Sequence, residues 1–172
     1  MKHLFITITL LLIFTTQALA HPHTFIEVKP TIKINNETIN KIHVHWKLDE
    51  MTSMMLIEEL DTNGNGKFEK SESDFIYENY FSSLDEYNFY THIYSNKKRL
   101  MITPKNFKAS IEDNKLIYAF DIEQQLNTQN LKIGFFDVTL FVGMIIKKEY
   151  ITLNGINETR QTQLKKNIFE VK

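Results

Sequence analysis

The chain has no cysteine, only five glycines and three prolines, and almost no net charge. Without cysteine it forms no disulfides, and CxxC redox or haem-attachment motifs are excluded. Its 20 basic and 21 acidic residues leave a net charge of −1, which is not the footprint of a nucleic-acid-binding protein. No phosphate loop, nucleophile elbow or metalloprotease helix is present, so the sequence does not predict an enzyme. Stability must then come from apolar burial, with bound metal as a further source.

Residues 1–20 have the pattern of a secretory signal peptide. A basic start is followed by the short apolar run Leu4–Phe14 and by Ala18-Leu19-Ala20, an A-x-A cleavage signal. The run is shorter than the roughly 20 residues that span a bilayer, which disfavours the alternative of an uncleaved anchor. We therefore expect a periplasmic mature protein that begins at His21, has no membrane span, and forms one domain over residues 21–172.

Two segments near the start of the mature chain alternate between apolar and polar residues, as half-buried strands do. They are Thr24–Ile34 and Ile39–Leu48. Pairing their apolar faces predicts a three-residue loop, Asn35–Glu37, because a slip of one residue turns every side chain to the other face. In that register the expected partners are His23 with Asp49, Glu27 with His45, and Lys29 with His43.

The period then becomes helical over Asp49–Leu60, and a second helix is predicted from Ser71 to about Leu84. Short strand signals follow, separated by turns such as Asn96-Lys97 and Asp113-Asn114. The predicted strands are Asn88–Ser95, Leu100–Ile102, Asn106–Ile111, Leu116–Ile122, Leu131–Val138, Phe141–Ile146 and Tyr150–Leu153. The predicted fold is α+β and mainly antiparallel, a sandwich-like or bent sheet, with an EF-hand-like helix-loop-helix inserted after the second strand at about 49–84.

The segment between the two predicted helices matches the EF-hand calcium loop, D-x-[DN]-x-[DN]-G-x5-E, at every required place. Its predicted ligands are Asp61, Asn63 and Asn65 at positions 1, 3 and 5, the Lys67 carbonyl at 7, Glu69 at 9, through water, and Glu72 at 12. The alternative is a polar connector that binds nothing. Because two early ligands are neutral Asn and no second loop is present, a structural calcium fits better than a sensor.

Five histidines remain after the expected cleavage, and two of them open the mature chain as His21-Pro22-His23. The freed α-amine and the two imidazoles form a potential chelate for Zn, Ni or Cu. In the register above, His45 and Asp49 lie at the same end of the hairpin and would complete this site. The alternative is a frayed amino terminus with solvated strand histidines.

The combination of these features resembles a bacterial family of unknown function, described as the periplasmic component of an uncharacterised ABC-type transport system. The resemblance rests on "HPH", "WKLDEMTS" and the calcium-type loop, and continues through "FYTHIY", "PKNF" and "FFDVTLFVGM". It implies a protein that accompanies nickel/cobalt-type metal permeases or exporters, with His21, His23 and the pair Asp49-Glu50 carried over. "FFDVTLF" departs from the family pattern, so no role is carried over to Asp137.

The leading hypothesis is therefore a periplasmic accessory of divalent transition-metal transport, stabilised by calcium, whose partner is an inner-membrane metal permease or ABC-type transporter. The alternative is a calcium-stabilised interaction module without a transition metal. Its mark would be an exposed apolar patch formed by Met51, Met54 and Met55. A metal-dependent enzyme that uses the free amino-terminal His21 is a third possibility.

Overall fold

The computed structural model describes residues 24–139 and 141–169. The predictions for the signal peptide, His21 and His23 lie outside these residues. The described strands are β1 Thr24–Asn35, β2 Thr38–Leu48, β3 Thr91–Ser95, β4 Lys98–Leu100, β5 Pro104–Glu112, β6 Lys115–Asn127, β7 Leu131–Phe135, β8 Val142–Ile145 and β9 Thr152–Asn154. The described α-helices are α1 Glu50–Leu60, α2 Lys70–Ile76 and α3 Glu158–Ile168.

The strands form two sheets. The larger has the order β5-β6-β2-β1-β8, with β9 also paired to β1, and the smaller has the order β4-β3-β7. All pairs are antiparallel except those of β1 with β8 and with β9, which are parallel. The mixed, mainly antiparallel α and β composition is therefore as predicted, and the two helices α1 and α2 follow the second strand.

The first hairpin differs from the predicted one in its turn but not in its faces. A two-residue turn, Asn36-Glu37, with positive φ at both residues, replaces the predicted three-residue loop. The register then shifts by one residue between Ile32 and Ile34, so that even residues again pair with even residues. The predicted register is wrong. The apolar faces of the two strands are aligned by the β-bulge between Ile32 and Ile34 and not by a three-residue loop. The predicted apolar face is buried.

Several other local predictions also differ from the structure. The helix predicted to end near Leu84 is α-helical only to Ile76, and it continues as a π-helical turn, Tyr77–Phe81, and a 3-10 segment, Ser82–Tyr90. Positive φ angles at residues 88–90 delay the next strand to Thr91. Helix α3 was not predicted, because its sequence is strongly polar and only Leu164 and Ile168 are buried.

Both sheets contribute to one apolar core, whose centre is aromatic. Trp46 of β2 is fully buried, and its ring centroid lies 5.1 Å from that of Phe120 and 5.8 Å from that of Phe81. Phe81 comes from the π-helical turn, so the segment after α2 is packed into the centre of the sheet. The second sheet adds Ile93 and Ile133 to the same cluster.

Buried serines fix both α1 and α2 to the large sheet. The Ser53 hydroxyl of α1 accepts a hydrogen bond from the Leu116 amide at 2.9 Å and donates to the Leu48 carbonyl at 3.3 Å. The Ser73 hydroxyl of α2 accepts from the Ala109 amide at 2.9 Å. Each serine therefore satisfies a buried strand amide, which fixes the position of the loop between the helices.

Candidate functional site

The loop between α1 and α2 is folded around the first predicted ligand, Asp61. One carboxylate oxygen accepts from the Gly66 amide at 2.8 Å and the other from the Asn65 amide at 3.2 Å. Gly64 and Gly66 have positive φ, 67° and 75°, which glycine adopts at little cost. The chain therefore curls around the Asp61 carboxylate.

Three more of the predicted ligands meet inside this loop. Both Asn63 and Asn65 contact the Glu69 carboxylate through their amide groups, Asn63 at 2.9 Å to Oε2 and Asn65 to Oε1. The side-chain oxygens of Asn63 and Asn65 each accept a backbone amide, from Asn65 at 3.0 Å and from Lys67 at 2.9 Å. An amide oxygen has a second lone pair, so each of these oxygens keeps one acceptor site for a cation.

Glu72, at position 12, closes the loop from the start of α2. Glu72 is buried. Its Oε1 accepts a hydrogen bond from the Thr62 amide at 2.9 Å, and its Oε2 accepts one from the Glu69 amide at 3.0 Å. The second bond is one half of a capping box. The hydrogen bond with the Glu69 side chain, followed by that of the Thr62 hydroxyl, lowers the pKa of Glu72 below its ordinary value. Glu72 is therefore an anion at neutral pH.

The acidic side chains of the loop do not form a metal site by themselves. Across residues 24–139 and 141–169, no three His, Asp or Glu side chains form a group that could hold a metal ion. The predicted calcium set contains three carboxylates, those of Asp61, Glu69 and Glu72, and these do not form such a group. Its other predicted ligands are two Asn amides and the Lys67 carbonyl. Such mixed oxygen ligands are what calcium takes in a flexible loop.

Asp49, predicted as a transition-metal ligand, caps α1. Its carboxylate accepts from the Thr52 amide at 2.9 Å, from the Thr52 hydroxyl at 2.8 Å and from the Phe25 amide at 2.8 Å. Burial raises the pKa of Asp49, but these amide hydrogen bonds outweigh it and hold the pKa below its ordinary value. The carboxylate thus joins the helix start to β1, and Phe25, not the predicted His23, lies opposite it.

His45, the other described member of the predicted transition-metal site, lies well away from Asp49. The two are four residues apart along an extended chain, which corresponds to roughly 13 Å. His45 is paired with Lys29, not with the predicted Glu27, and its Nε2 lies 3.7 Å from the Glu112 carboxylate. Burial, against the opposing effect of Glu112, lowers the pKa of His45, so the ring is neutral at pH 7.

A hydrogen-bonded cluster that the sequence did not predict surrounds Asp121 on the outer face of the large sheet. Asp121 is buried, and it accepts from His43 Nδ1 at 2.8 Å, Asn106 Nδ2 at 2.8 Å and Lys41 Nζ at 3.1 Å. Burial raises the pKa of Asp121, but these three bonds outweigh it and keep it below its ordinary value. The pairing of β2 with β6 was not predictable from periodicity. Without that pairing nothing in the sequence indicates that these residues lie close together.

Comparisons with known proteins give a family but no activity. Residues 6–167 match the sequence profile of a family described as "Protein of unknown function (DUF1007)". An uncharacterised 15.5 kDa protein in the trpE 3′ region of Spirochaeta aurantia is 34% identical over 92 residues, 51% of this chain and 66% of that protein. An uncharacterised protein of Haemophilus influenzae is 24% identical over 154 residues, 85% of this chain and 73% of that protein. No solved structure matches the chain.

The match confirms the expected membership of a family of unknown function. Neither relative's name mentions a transport system, so a role in transport stays a prediction. In the part of the chain that the structure describes, no helix is long and apolar enough to cross a membrane.

Proposed function

This chain belongs to the family of proteins of unknown function DUF1007, and from that premise we propose that it is an exported protein that binds one calcium ion in the loop Asp61–Glu72. The ion would join α1 to α2 and hold the EF-hand-like insertion in one arrangement. The observation that carries this proposal is the meeting of the Asn63, Asn65 and Glu69 side chains inside a loop that already curls around Asp61.

Ligand chemistry and loop geometry support the same ion. Asp61, Glu69 and Glu72 place three carboxylates in one twelve-residue loop, and carboxylate, amide and carbonyl oxygens are the ligands that calcium takes. The loop flanks are set by the helices, and Ser53 and Ser73 attach those helices to the sheet. The frame for binding is therefore present before the ion arrives, which lowers the entropy cost of binding. A structural role follows, since the frame has little room to open.

Calcium is expected to raise the melting temperature, because a ligand that binds only the folded state stabilises it. At a free concentration about 100 times the Kd, the rise should be roughly 5–10 °C for a chain of this size. Glu72→Gln should lose most of this rise, since a neutral amide cannot close the site in bidentate fashion. The measurement is thermal unfolding by circular dichroism in excess calcium and in excess EGTA.

The matched control is Glu78→Gln, which removes an exposed carboxylate beyond α2 and outside the loop. This variant should keep the full calcium-dependent rise. Equal melting temperatures for the unaltered protein in calcium and in EGTA would end the proposal.

The transition-metal hypothesis now depends on His21 and His23, which lie outside the described residues. Asp49 is occupied as a helix cap and His45 lies far from it, so neither adds support to that site. A periplasmic location and a metal permease or ABC-type transporter as partner likewise stay predictions.

The expected result for a site at the amino terminus is one Zn, Ni or Cu ion, seen by native mass spectrometry of exported protein that begins at His21. His21→Ala/His23→Ala should lose that ion and keep calcium, because the imidazoles are the proposed ligands. Retention of the ion by the double variant would remove the amino terminus from the site. Calcium alone in the unaltered protein would instead move the proposal to a module without a transition metal.

A further inference from the structure

Helix α1 places its side chains contrary to the usual rule of apolar burial. Its buried half contains Ser53, fully covered, and Thr52, whereas Met51, Met54 and Met55 are 60%, 63% and 55% exposed. Large apolar side chains grouped on a surface indicate an interaction site, whereas single exposed ones are common on any protein. The serine is inside because it satisfies a strand amide, and this leaves the three methionines, here called the methionine face, in solvent.

The methionine face is bordered by negative charge. At about 100° per residue, Glu50 and Glu59 lie at the two edges of the exposed half of the helix, and Glu58 lies among the methionines. No Lys, Arg or His occurs in α1. The exposed half of α1 therefore combines three thioether side chains with three carboxylates and no positive charge.

A mainly apolar groove lies at the end of α1 and shares Glu59 with this surface. It has a volume of about 350 Å³ and lies between the two helices. Its lining residues are Glu59, Leu60, Thr62, Ser71, Glu72 and Phe75. Phe75 is 51% exposed, so the groove has an aromatic wall as well as acidic ones.

We propose that the methionine face docks a cationic amphipathic segment of a partner protein. Flexible, polarisable methionine side chains adapt to different apolar surfaces, and acidic edges select a partner with Lys or Arg beside its apolar residues. Charge complementarity argues for this occupant over a second copy of the chain, since two copies would bring Glu50, Glu58 and Glu59 against the same residues. An anionic lipid surface is disfavoured for the same reason.

The length of α1 sets the length of the contact. Eleven residues extend over about 16 Å, which matches a short helical segment. The methionine face contains none of the proposed calcium ligands, so the docking proposal and the calcium proposal are tested separately.

The test is binding of a fluorescent synthetic peptide of leucine and lysine, about 14 residues long, which forms roughly four amphipathic turns. Anisotropy should give a Kd in the micromolar range that weakens with salt, as expected for charge-assisted docking. Met51→Ser/Met54→Ser/Met55→Ser should weaken binding at least about tenfold, because the apolar contact is lost. The corresponding triple change to leucine should stay within about threefold, since volume and apolarity are kept.

Matched variants separate docking from unspecific attraction. Met101→Ser removes another methionine, 63% exposed but outside α1, and should leave the Kd unchanged. Glu50→Gln/Glu58→Gln/Glu59→Gln should weaken binding and reduce its salt dependence. The same change at Glu112, Glu149 and Glu158, which are exposed elsewhere, should have a much smaller effect. All measurements are repeated in EGTA, so that loss of peptide binding is not confused with loss of calcium.

Several outcomes would overturn the proposal. These are equal binding by the serine triple variant, equal binding of a leucine and glutamate peptide, and loss of binding in the leucine triple variant, which would indicate thioether chemistry. A fourth is absence of peptide binding together with methionine-dependent binding to phosphatidylcholine vesicles, which would make the face a lipid contact.

Discussion

Phe81→Ala is expected to lower the free energy of unfolding by about 3–5 kcal/mol, the largest single effect among these predictions. The side chain is fully buried, and its ring lies 4.5 Å from that of Phe107, 5.0 Å from that of Phe89 and 5.1 Å from that of Phe120. These partners come from β5, from the 3-10 segment and from β6. Truncation would leave a cavity where the helical insertion meets the sheet, and surrounding backbone from three elements limits its collapse.

Urea unfolding followed by tryptophan fluorescence suits this test, because Trp46 contacts Phe81 directly. Phe75→Ala is the matched control, since Phe75 belongs to the same insertion but is half exposed. We expect the control to cost less than about 1 kcal/mol. If the two variants were equally stable, the aromatic cluster would not be what joins the insertion to the sheet.

Replacing both buried serines is expected to have the next largest effect. Ser53→Ala and Ser73→Ala should each cost about 1–3 kcal/mol, because each leaves a buried strand amide without an acceptor. The amides belong to Leu116 and Ala109, on neighbouring strands of the large sheet. Equilibrium unfolding of the two single variants and the double variant, arranged as a double-mutant cycle, measures both the costs and their coupling.

The coupling between the two substitutions shows whether α1 and α2 are attached to the sheet independently. Additive losses would mean that α1 and α2 are attached independently, whereas a double loss smaller than the sum would mean that the first loss already releases both helices. Ser83→Ala is the control, because Ser83 is exposed and its hydroxyl only donates to the Tyr80 carbonyl. Single costs no larger than that of the control would show that the two amides find other partners.

Periodicity predicted the buried faces of the first two strands, and turn-forming residues predicted two later turns but not the length of the first, because these signals are local. The alternation ending in Trp46 and Leu48 identified side chains that are buried, and Asn96-Lys97 and Asp113-Asn114 are turns with positive φ at each residue. The loop between the helices was predicted from its residue types, and calcium binding by this loop stays a prediction.

Features that depend on distant pairings were not predictable. The carboxylate of Asp121 gathers His43 and Asn106 only because β2 and β5 both flank β6, and no local pattern indicates that. The burial of Ser53 has the same origin: it depends on the amide of Leu116, a residue 63 positions away, which needs an acceptor.

The position of β1 has a consequence for the order in which this protein folds. One edge of β1 pairs with β2, its neighbour in sequence. The other edge pairs with β8 and β9, which come from the far end of the chain. Contacts between the two ends of the chain make folding slow, because the entropy cost of closing a long loop comes before these contacts stabilise the fold. Until then the strand carries a row of unsatisfied amides and carbonyls, which is a template for association with another chain. By pairing with this edge, β8 and β9 protect the protein from aggregation through β1.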